Sequence, residues 1–414
     1  MNGSTFDMVV VGGGAAGMMA AITAAEDGAR VLILEKNDRP CRKLYITGKG
    51  RCNVTNDCSW QTCLENTPTN PKFLFASMQA FPPSATMAFF ERLGCPLKVE
   101  RGHRVFPVSD QSASIIDALR QRSRELKIAL KPEAVTELLL ADGKVIGAAT
   151  ELGKYYADAV VLATGGASYP RTGSTGDGYA LAKAIGHTIL APTGSLVPLV
   201  AEGSFCASLA GLSLRNVAVS LLNDKGKAVY EDFGEAEFTD YGLTGPTVLS
   251  ASAHMGRNSG FSIAIDLKPA LDAEKLDARL LRDLQKYRNC PMPTALAELY
   301  PKQLITPLLQ CSEISADLAA NSLTKEARRR LLQNTKRLVI PIAGKRPVEE
   351  AIITSGGIKV SEVNPKTMAS KLAEGLYFAG EILDIDAYTG GFNLQIAWAT
   401  GHAAGKAIAE KRGT

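Results

Sequence analysis

Histidine is scarce in this 414-residue chain, with four at positions 103, 187, 254 and 402. They are too dispersed to suggest a metal centre. Cysteine is commoner but unpatterned: eight lie at 41, 52, 58, 63, 95, 206, 290 and 311. They form no disulfide framework and no paired CxxC motif of the metal-binding kind. Reduced thiols in a cytoplasm fit that scatter. An excess of either charge is also missing, since 46 basic and 42 acidic residues leave a net charge of +4. That gives no reason to expect nucleic acid or an anionic membrane as a partner. Only Met8–Ala25 is long, uncharged and apolar. Its glycines at 12, 13, 14 and 17, and the lack of a basic stretch before it, mark a buried strand and helix, not a signal or a membrane span.

What is present is ordinary globular material, 46% hydrophobic and 21% charged, enough to build large cores and enclose a ligand. Its length favours two or three domains. Phe6–Val11 is a short apolar strand, Ala15–Ala25 a small-residue helix closed by Gly28, and Val31–Leu34 a second strand. This βαβ order implies a parallel sheet with a right-handed crossover. Residues 36–70 are polar and read as a long functional loop. Helices are expected at Ser84–Leu93 and from a Ser/Asp cap at Ser109 to about Lys127. Val135–Leu140 and Val145–Thr150 flank Asp142-Gly143, a hairpin signal. Ala159–Ala163 is a buried strand that ends in Thr164-Gly165-Gly166, and a Gly-rich turn and helix follow over 173–186. Short alternating strands from about Pro192, such as Val217–Leu222 and Phe261–Leu267, suggest a β domain. The strand Gly375–Ala379 and the helix Leu394–Ala409 return to the style of the first half. The expected layout is an α/β nucleotide-binding domain in two parts, 1–191 and 351–414. It is interrupted by a β domain (192–270 and 335–350) and a helical subdomain (271–334).

The strongest motif is Gly12-Gly13-Gly14-Ala15-Ala16-Gly17, a GxGxxG between a strand and a helix. Gly12 permits the turn, Gly14 lets backbone approach a diphosphate, and Gly17 lets helix and strand pack closely. The helix start at Ala15 and Ala16 offers unpaired N–H groups and a positive dipole. Glu35, ending the next strand, stands where an acid grips ribose hydroxyls, which favours FAD or NAD over NADP. A second signature selects FAD. Tyr377-Phe378-Ala379-Gly380-Glu381 is a strand ending in glycine and an acid, as in FAD enzymes of the glutathione-reductase type. There Gly380 and Glu381 would meet the ribityl chain. Thr389-Gly390-Gly391-Phe392-Asn393-Leu394 opens the last helix, so Gly391, Asn393 and Leu394 would face the flavin pyrimidine and stabilise negative charge there. Thr164, Gly165 and Gly166 resemble the ATGG motif on the adenylate side.

The run Lys43-Leu44-Tyr45-Ile46-Thr47-Gly48-Lys49-Gly50-Arg51-Cys52-Asn53-Val54-Thr55-Asn56 resembles the signature of the BaiN-like bacterial flavoproteins. Arg104–Pro107, Ser168–Tyr179, Thr239–Pro246, Thr354–Gly357 and Ala379–Gly401 match in family order. That family includes a bile-acid 3-oxo-4,6-diene reductase and an aminoacetone oxidase. The resemblance implies a Rossmann-like FAD-binding domain with an inserted β-barrel-like domain and a helical subdomain. Lys36, Lys43, Gly50, Arg51, Cys52, Asn53 and Val135 join the expected cofactor contacts. One departure is Cys41, where the family often has glycine; a cysteine near flavin could be redox-active.

Three residues are candidates for catalysis. Tyr388 precedes the flavin-facing turn and could protonate a carbanion. Arg51 could orient substrate, and His103 could serve as an acid–base group. His187 reads as a helix C-cap, His402 as packing, and Cys58-Ser59-Trp60-Gln61-Thr62-Cys63 as ordinary thiols, not a redox pair. With no second GxGxxG, NADH or NADPH as electron donor would dock transiently. The expected activity is reduction of a conjugated C=C bond, an enone of steroid or bile-acid type, by a cytoplasmic ene-reductase acting on a small molecule. The alternatives are a peroxide-producing amine oxidase and a flavin-bearing binding or regulatory protein. No coiled coil indicates an oligomeric state.

Overall fold

A computed structural model describes residues 5–256 and 258–412. The chain divides into two compact units, Met1–Ser195 together with Val348–Thr414, and Leu196–Pro347.

In the first unit, Thr5–Val11 pairs in parallel with Val31–Leu34 on one side and Gly153–Leu162 on the other. The sheet runs Ala129–Lys131, Val31–Leu34, Thr5–Val11, Gly153–Leu162, Lys144–Thr150, Val135–Ala141. Leu376–Phe378 adds in parallel beside the end of Gly153–Leu162. Val31–Leu34 is buried at every position, so its sequence is a continuous apolar run with no alternation. The hairpin turn at Asp142-Gly143 takes positive φ at both residues, 49° and 77°, as a type I′ turn requires.

The first helix, Ala15–Glu26, and the last, Phe392–Arg412, pack on each other through small residues. A Cβ added to Gly401 would lie 2.4 Å from the Ala16 carbonyl oxygen, and one on Gly405 the same distance from that of Ala20. Ala16 thus faces Gly401 and Ala20 faces Gly405, so the helices run in the same direction. At 1.5 Å per residue, the last helix begins about 12 Å ahead of the first.

Two expected elements differ. Residues 36–70 are not one loop but short helical turns at Arg42–Ile46, Thr47–Gly50 and Trp60–Glu65. Left-handed residues at Cys41, Gly48 and Lys49 interrupt them before any apolar period can build. The helix expected from Ser109 starts at Ser112, with Gln111 at its N-cap and no side-chain cap. Asp110 instead gives its carboxylate to Arg51 and Lys98.

The second unit holds a closed barrel in the order Leu199–Ala201, Gly242–Thr244, Ala228–Phe238, Ser213–Leu222, Ser262–Asp266, Leu338–Lys345. Every neighbouring pair is antiparallel. Ala273–Lys286 and Lys325–Lys336 are capped by Asp272 and Thr324. Their Leu276, Leu280 and Leu331 share one hydrophobic cluster with Val219, Ile263 and Ile340 of the barrel. Barrel and helices therefore have a common core. Among the described residues, no helix is long and apolar enough to cross a membrane.

Candidate functional site

One cavity of about 1090 Å³ opens in the first unit at the ends of its parallel strands. That is the upper end of ligand-pocket size, roughly 300–1,000 Å³, and the strand ends are where open α/β sheets bind nucleotides. Its wall includes Gly12, Gly14, Ala15 and Ala16 at the start of the first helix, and Gly391, Asn393 and Leu394 at the start of the last. Two helix N-termini, offset by about 12 Å, therefore face one continuous space.

The three glycines of the first motif divide their work. Gly12 takes φ 100°, and a Cβ there would lie 2.6 Å from the Ala163 carbonyl oxygen. A Cβ on Gly17 would meet the Gly12 carbonyl oxygen at 2.0 Å, so Gly17 serves packing and does not line the cavity. Gly14 has nothing within 4 Å of such a Cβ. The space it leaves belongs to the cavity, as a diphosphate cradle requires.

Glu35 is buried at the end of Val31–Leu34. Its Oε2 accepts from the Gly13 N–H at 2.7 Å, and its Oε1 from Asn37 N at 2.9 Å and Asn37 Nδ2 at 2.6 Å. These donors hold a carboxylate beside the first helix start. Lys36 also lines the wall but pairs with Asp177. Glu381 faces the cavity tied to Lys43 Nζ at 2.5 Å, while Ser168 Oγ and Thr354 N donate to its other oxygen. Its charge is therefore neutralised inside the wall by Lys43.

Val135, Thr164, Gly165, Gly380, Arg51 and Asn53 also line the cavity. Gly50, Cys52 and Gly166 do not. Cys52 is fully buried beneath the wall, and a Cβ on Gly166 would lie 2.3 Å from Thr354 Oγ1, so that glycine serves the approach of two segments. Cys41 lines the cavity with φ 66°, which explains why glycine suits the position. Burial, then the nearby Glu35, pushes its thiol up to about 12. A thiol so raised is the less reactive form.

The catalytic candidates separate. Tyr388 lines the cavity half-buried, its backbone N–H donating to the Asn66 carbonyl at 2.9 Å. Arg51 reaches the wall, but its guanidinium is bonded to Glu100 and Asp110 and lies over the Phe106 ring. Those bonds, Glu100 first, raise its pKa. These bonds tie the 47–53 turns to Leu97–Glu100 and to Asp110. His103 is exposed at φ 58° in the turn between Leu97–Glu100 and Arg104–Pro107, outside the cavity wall. Gly102 and Arg104 on either side of it do line the cavity. His187 is not simply a C-cap: its buried ring bonds Ser370 Oγ at 2.8 Å and faces Glu362. His402 stacks on Phe81, a packing role.

Several wall or support residues escaped the sequence reading. Asn56 donates to the carbonyls of Gly390 and Gly102. Asn66, Glu133 and Ile353 line the cavity. Ser168 and Thr354 hold Glu381. Asn56, Ser168 and Thr354 lie inside the motifs that carry the family resemblance, which was the available signal; Asn66, Glu133 and Ile353 carried none.

The residues present fit FAD. Gly14 leaves a cradle, and Glu35 is held beside it by the Gly13 N–H. Among the described residues no cluster of metal-ligating side chains occurs.

Comparison with known proteins agrees with this geometry. The chain is 34% identical over 97% of its length, and 98% of the other's, to a 3-dehydro-bile acid delta(4,6)-reductase of Clostridium scindens. It is 28% identical over 96% of both chains to a ribosomal RNA dihydrouridine synthase of Escherichia coli. The solved structure of a 3-ketosteroid delta1-dehydrogenase from Sterolibacterium denitrificans, in complex with 1,4-androstadiene-3,17-dione, aligns with TM-score 0.52 and 16% identity. That match covers 98% of this chain and 100% of that one, and it shows a shared fold. The family model described as HI0933-like protein Rossmann domain matches residues 6–407, and the chain belongs to that family.

Proposed function

We propose that this protein is an FAD-dependent reductase of C=C bonds conjugated to a carbonyl, with NADH or NADPH as donor and a ring enone of steroid or bile-acid type as acceptor. One observation carries the reading: a single cavity faced by two helix starts offset along their axes by about 12 Å, the first at Gly14-Ala15 and the last at Gly391-Phe392. The bile-acid reductase relative, matched along nearly its whole length, favours the acceptor class.

When bound, FAD supplies the hydride, from N5 of its reduced ring. The chain supplies the rest. Amides at the first helix start bind the diphosphate, and Glu35 grips a ribose. The positive end of the last helix stabilises negative charge at the pyrimidine end of the ring. Lys43 keeps the Glu381 charge paired, so that no bare carboxylate opposes it. Tyr388 sits at the edge of that turn with its phenol as the proton source for the α-carbon once hydride has reached the β-carbon.

A second reading is favoured by the dihydrouridine synthase relative. The C5=C6 bond of uracil is also conjugated to a carbonyl, so the same hydride and proton additions would serve. It requires an RNA partner, which the near-neutral composition gave no reason to expect.

Anaerobic stopped-flow spectrophotometry decides among the readings. NADH or NADPH should bleach the flavin, and a 3-oxo-4-ene or 4,6-diene should restore its colour. Recolouring by unmodified ribosomal RNA alone would establish the second reading. Peroxide release from aminoacetone without nicotinamide would establish an oxidase. Slow reduction by every donor would leave a binding protein and overturn the proposal.

A further inference from the structure

Cys58 precedes one short helix, Trp60–Glu65, and Cys63 lies within it, and their sulfurs lie 3.7 Å apart as free thiols. The two differ in environment. Cys63 is fully buried, while Cys58 is partly exposed. Their mutual hydrogen bond holds the Cys58 thiol below its ordinary range and, with burial, pushes the Cys63 thiol up. One sulfur is thus reachable and the more acidic, and its neighbour is protected and protonated, which is the division of labour of an attacking and a resolving thiol. A disulfide has an S–S length of about 2.05 Å, so the remaining gap is under about 2 Å.

We infer that Cys58 and Cys63 form an oxidisable dithiol, a modification site that takes two electrons' worth of oxidation from a hydroperoxide. The Cys58 thiolate attacks one oxygen of hydrogen peroxide. The O–O bond breaks, the departing hydroxide takes a proton to become water, and Cys58 becomes a sulfenic acid. The Cys63 sulfur then displaces the Cys58 hydroxyl, which leaves as a second water with the Cys63 proton. The sulfur pair has lost two electrons, the peroxide has gained them, and an external thiol reverses the step.

The site is wired to the cavity though neither cysteine lines it. The Cys58 N–H donates to the Asn56 carbonyl at 2.9 Å, and Asn56 Nδ2 donates to the Gly390 carbonyl at 3.0 Å. On the other side, Thr67 Oγ1 donates to the Cys63 carbonyl, and the neighbouring Asn66 carbonyl accepts the Tyr388 N–H.

The test is to treat the intact protein with hydrogen peroxide, block the remaining thiols with an alkylating agent, and map the cysteines by mass spectrometry. The expected result is a segment lighter by two hydrogen atoms with Cys58 and Cys63 joined, formed about tenfold faster than any product at the exposed Cys311. In Cys63→Ser, a sulfenic-acid probe should label Cys58; in Cys58→Ser, Cys63 should stay alkylatable. Cys58 running on to sulfinic acid in the wild-type protein, with Cys63 still free, would overturn the proposal. So would oxidation no faster than at Cys311. The wild-type mapping stands without either variant and without flavin turnover.

Discussion

The two helix starts that face the cavity are built in opposite ways. The first is local: strand Thr5–Val11, the glycines and helix Ala15–Glu26 follow one another directly, and Glu35 closes the unit just after the next strand. The last is assembled from distant chain. A Cβ on Gly391 would lie 2.3 Å from the Thr55 carbonyl oxygen, Asn56 holds the Gly390 carbonyl, and Asn66 accepts from Tyr388. One turn further, Gln395 is buried among Thr55, Thr86 and the Phe81 carbonyl. The local site carries its proposed diphosphate cradle within one βαβ segment. The distributed one ties the start of the last helix to segments 55–66, which lie far from it in sequence.

Substitutions can break this contrast, and the largest effect belongs to the local site. Gly14→Val places a side chain in the cradle without touching protein, since an added Cβ meets nothing and φ at Gly14 is −79°. The protein should purify colourless and take up no FAD on reconstitution. Its melting temperature should stay within about 2 °C of wild-type apo-protein. A yellow Gly14→Val protein would show that the first helix start does not hold the diphosphate. Next comes Tyr388→Phe at the distributed site. Flavin reduction by the nicotinamide donor should be unchanged, and reoxidation by an enone should slow on the order of 10²-fold or more. Equal loss in both half-reactions would make Tyr388 a structural residue.

This contrast also explains what could be read from the chain. GxGxxG with Glu35 is legible because its parts sit at fixed short spacing, each with its own physical demand. The parallel strands are legible as unbroken apolar runs, and the barrel strands as short alternating ones. The segment 36–70 was misread as loop because helical turns of five or six residues, broken by left-handed Cys41, Gly48 and Lys49, carry no period. The ion pairs of Arg51 are not legible because Glu100 and Asp110 lie 49 and 59 residues away. The Cys58–Cys63 spacing was visible, but the 3.7 Å separation of the sulfurs was not.

Glu35→Ala sharpens the comparison from the local side at intermediate size. It removes the expected ribose contacts, worth on the order of 1–3 kcal/mol for charged hydrogen bonds, or roughly 5- to 150-fold in FAD affinity. It also releases Gly13 and Asn37. Titration of apo-protein with FAD measures this directly. The rate of reduction at saturating FAD should be untouched, because the last helix start does not depend on Glu35.

Asn56→Ala is the reciprocal and the smallest. Asn56 makes two neutral hydrogen bonds, to the carbonyls of Gly102 at 3.1 Å and Gly390 at 3.0 Å. Each is worth about 0.5–1.5 kcal/mol net. Losing the Gly390 bond loosens the turn before the last helix while the diphosphate cradle stays whole. FAD affinity should therefore change by less than about threefold, while flavin reduction slows by roughly three- to tenfold, the equivalent of one such bond. The split between affinity and rate is the decisive quantity. If Asn56→Ala weakened FAD binding as much as Glu35→Ala does, the two helix starts would be one cooperative site, and the division between a local binding end and a distributed reacting end would fail.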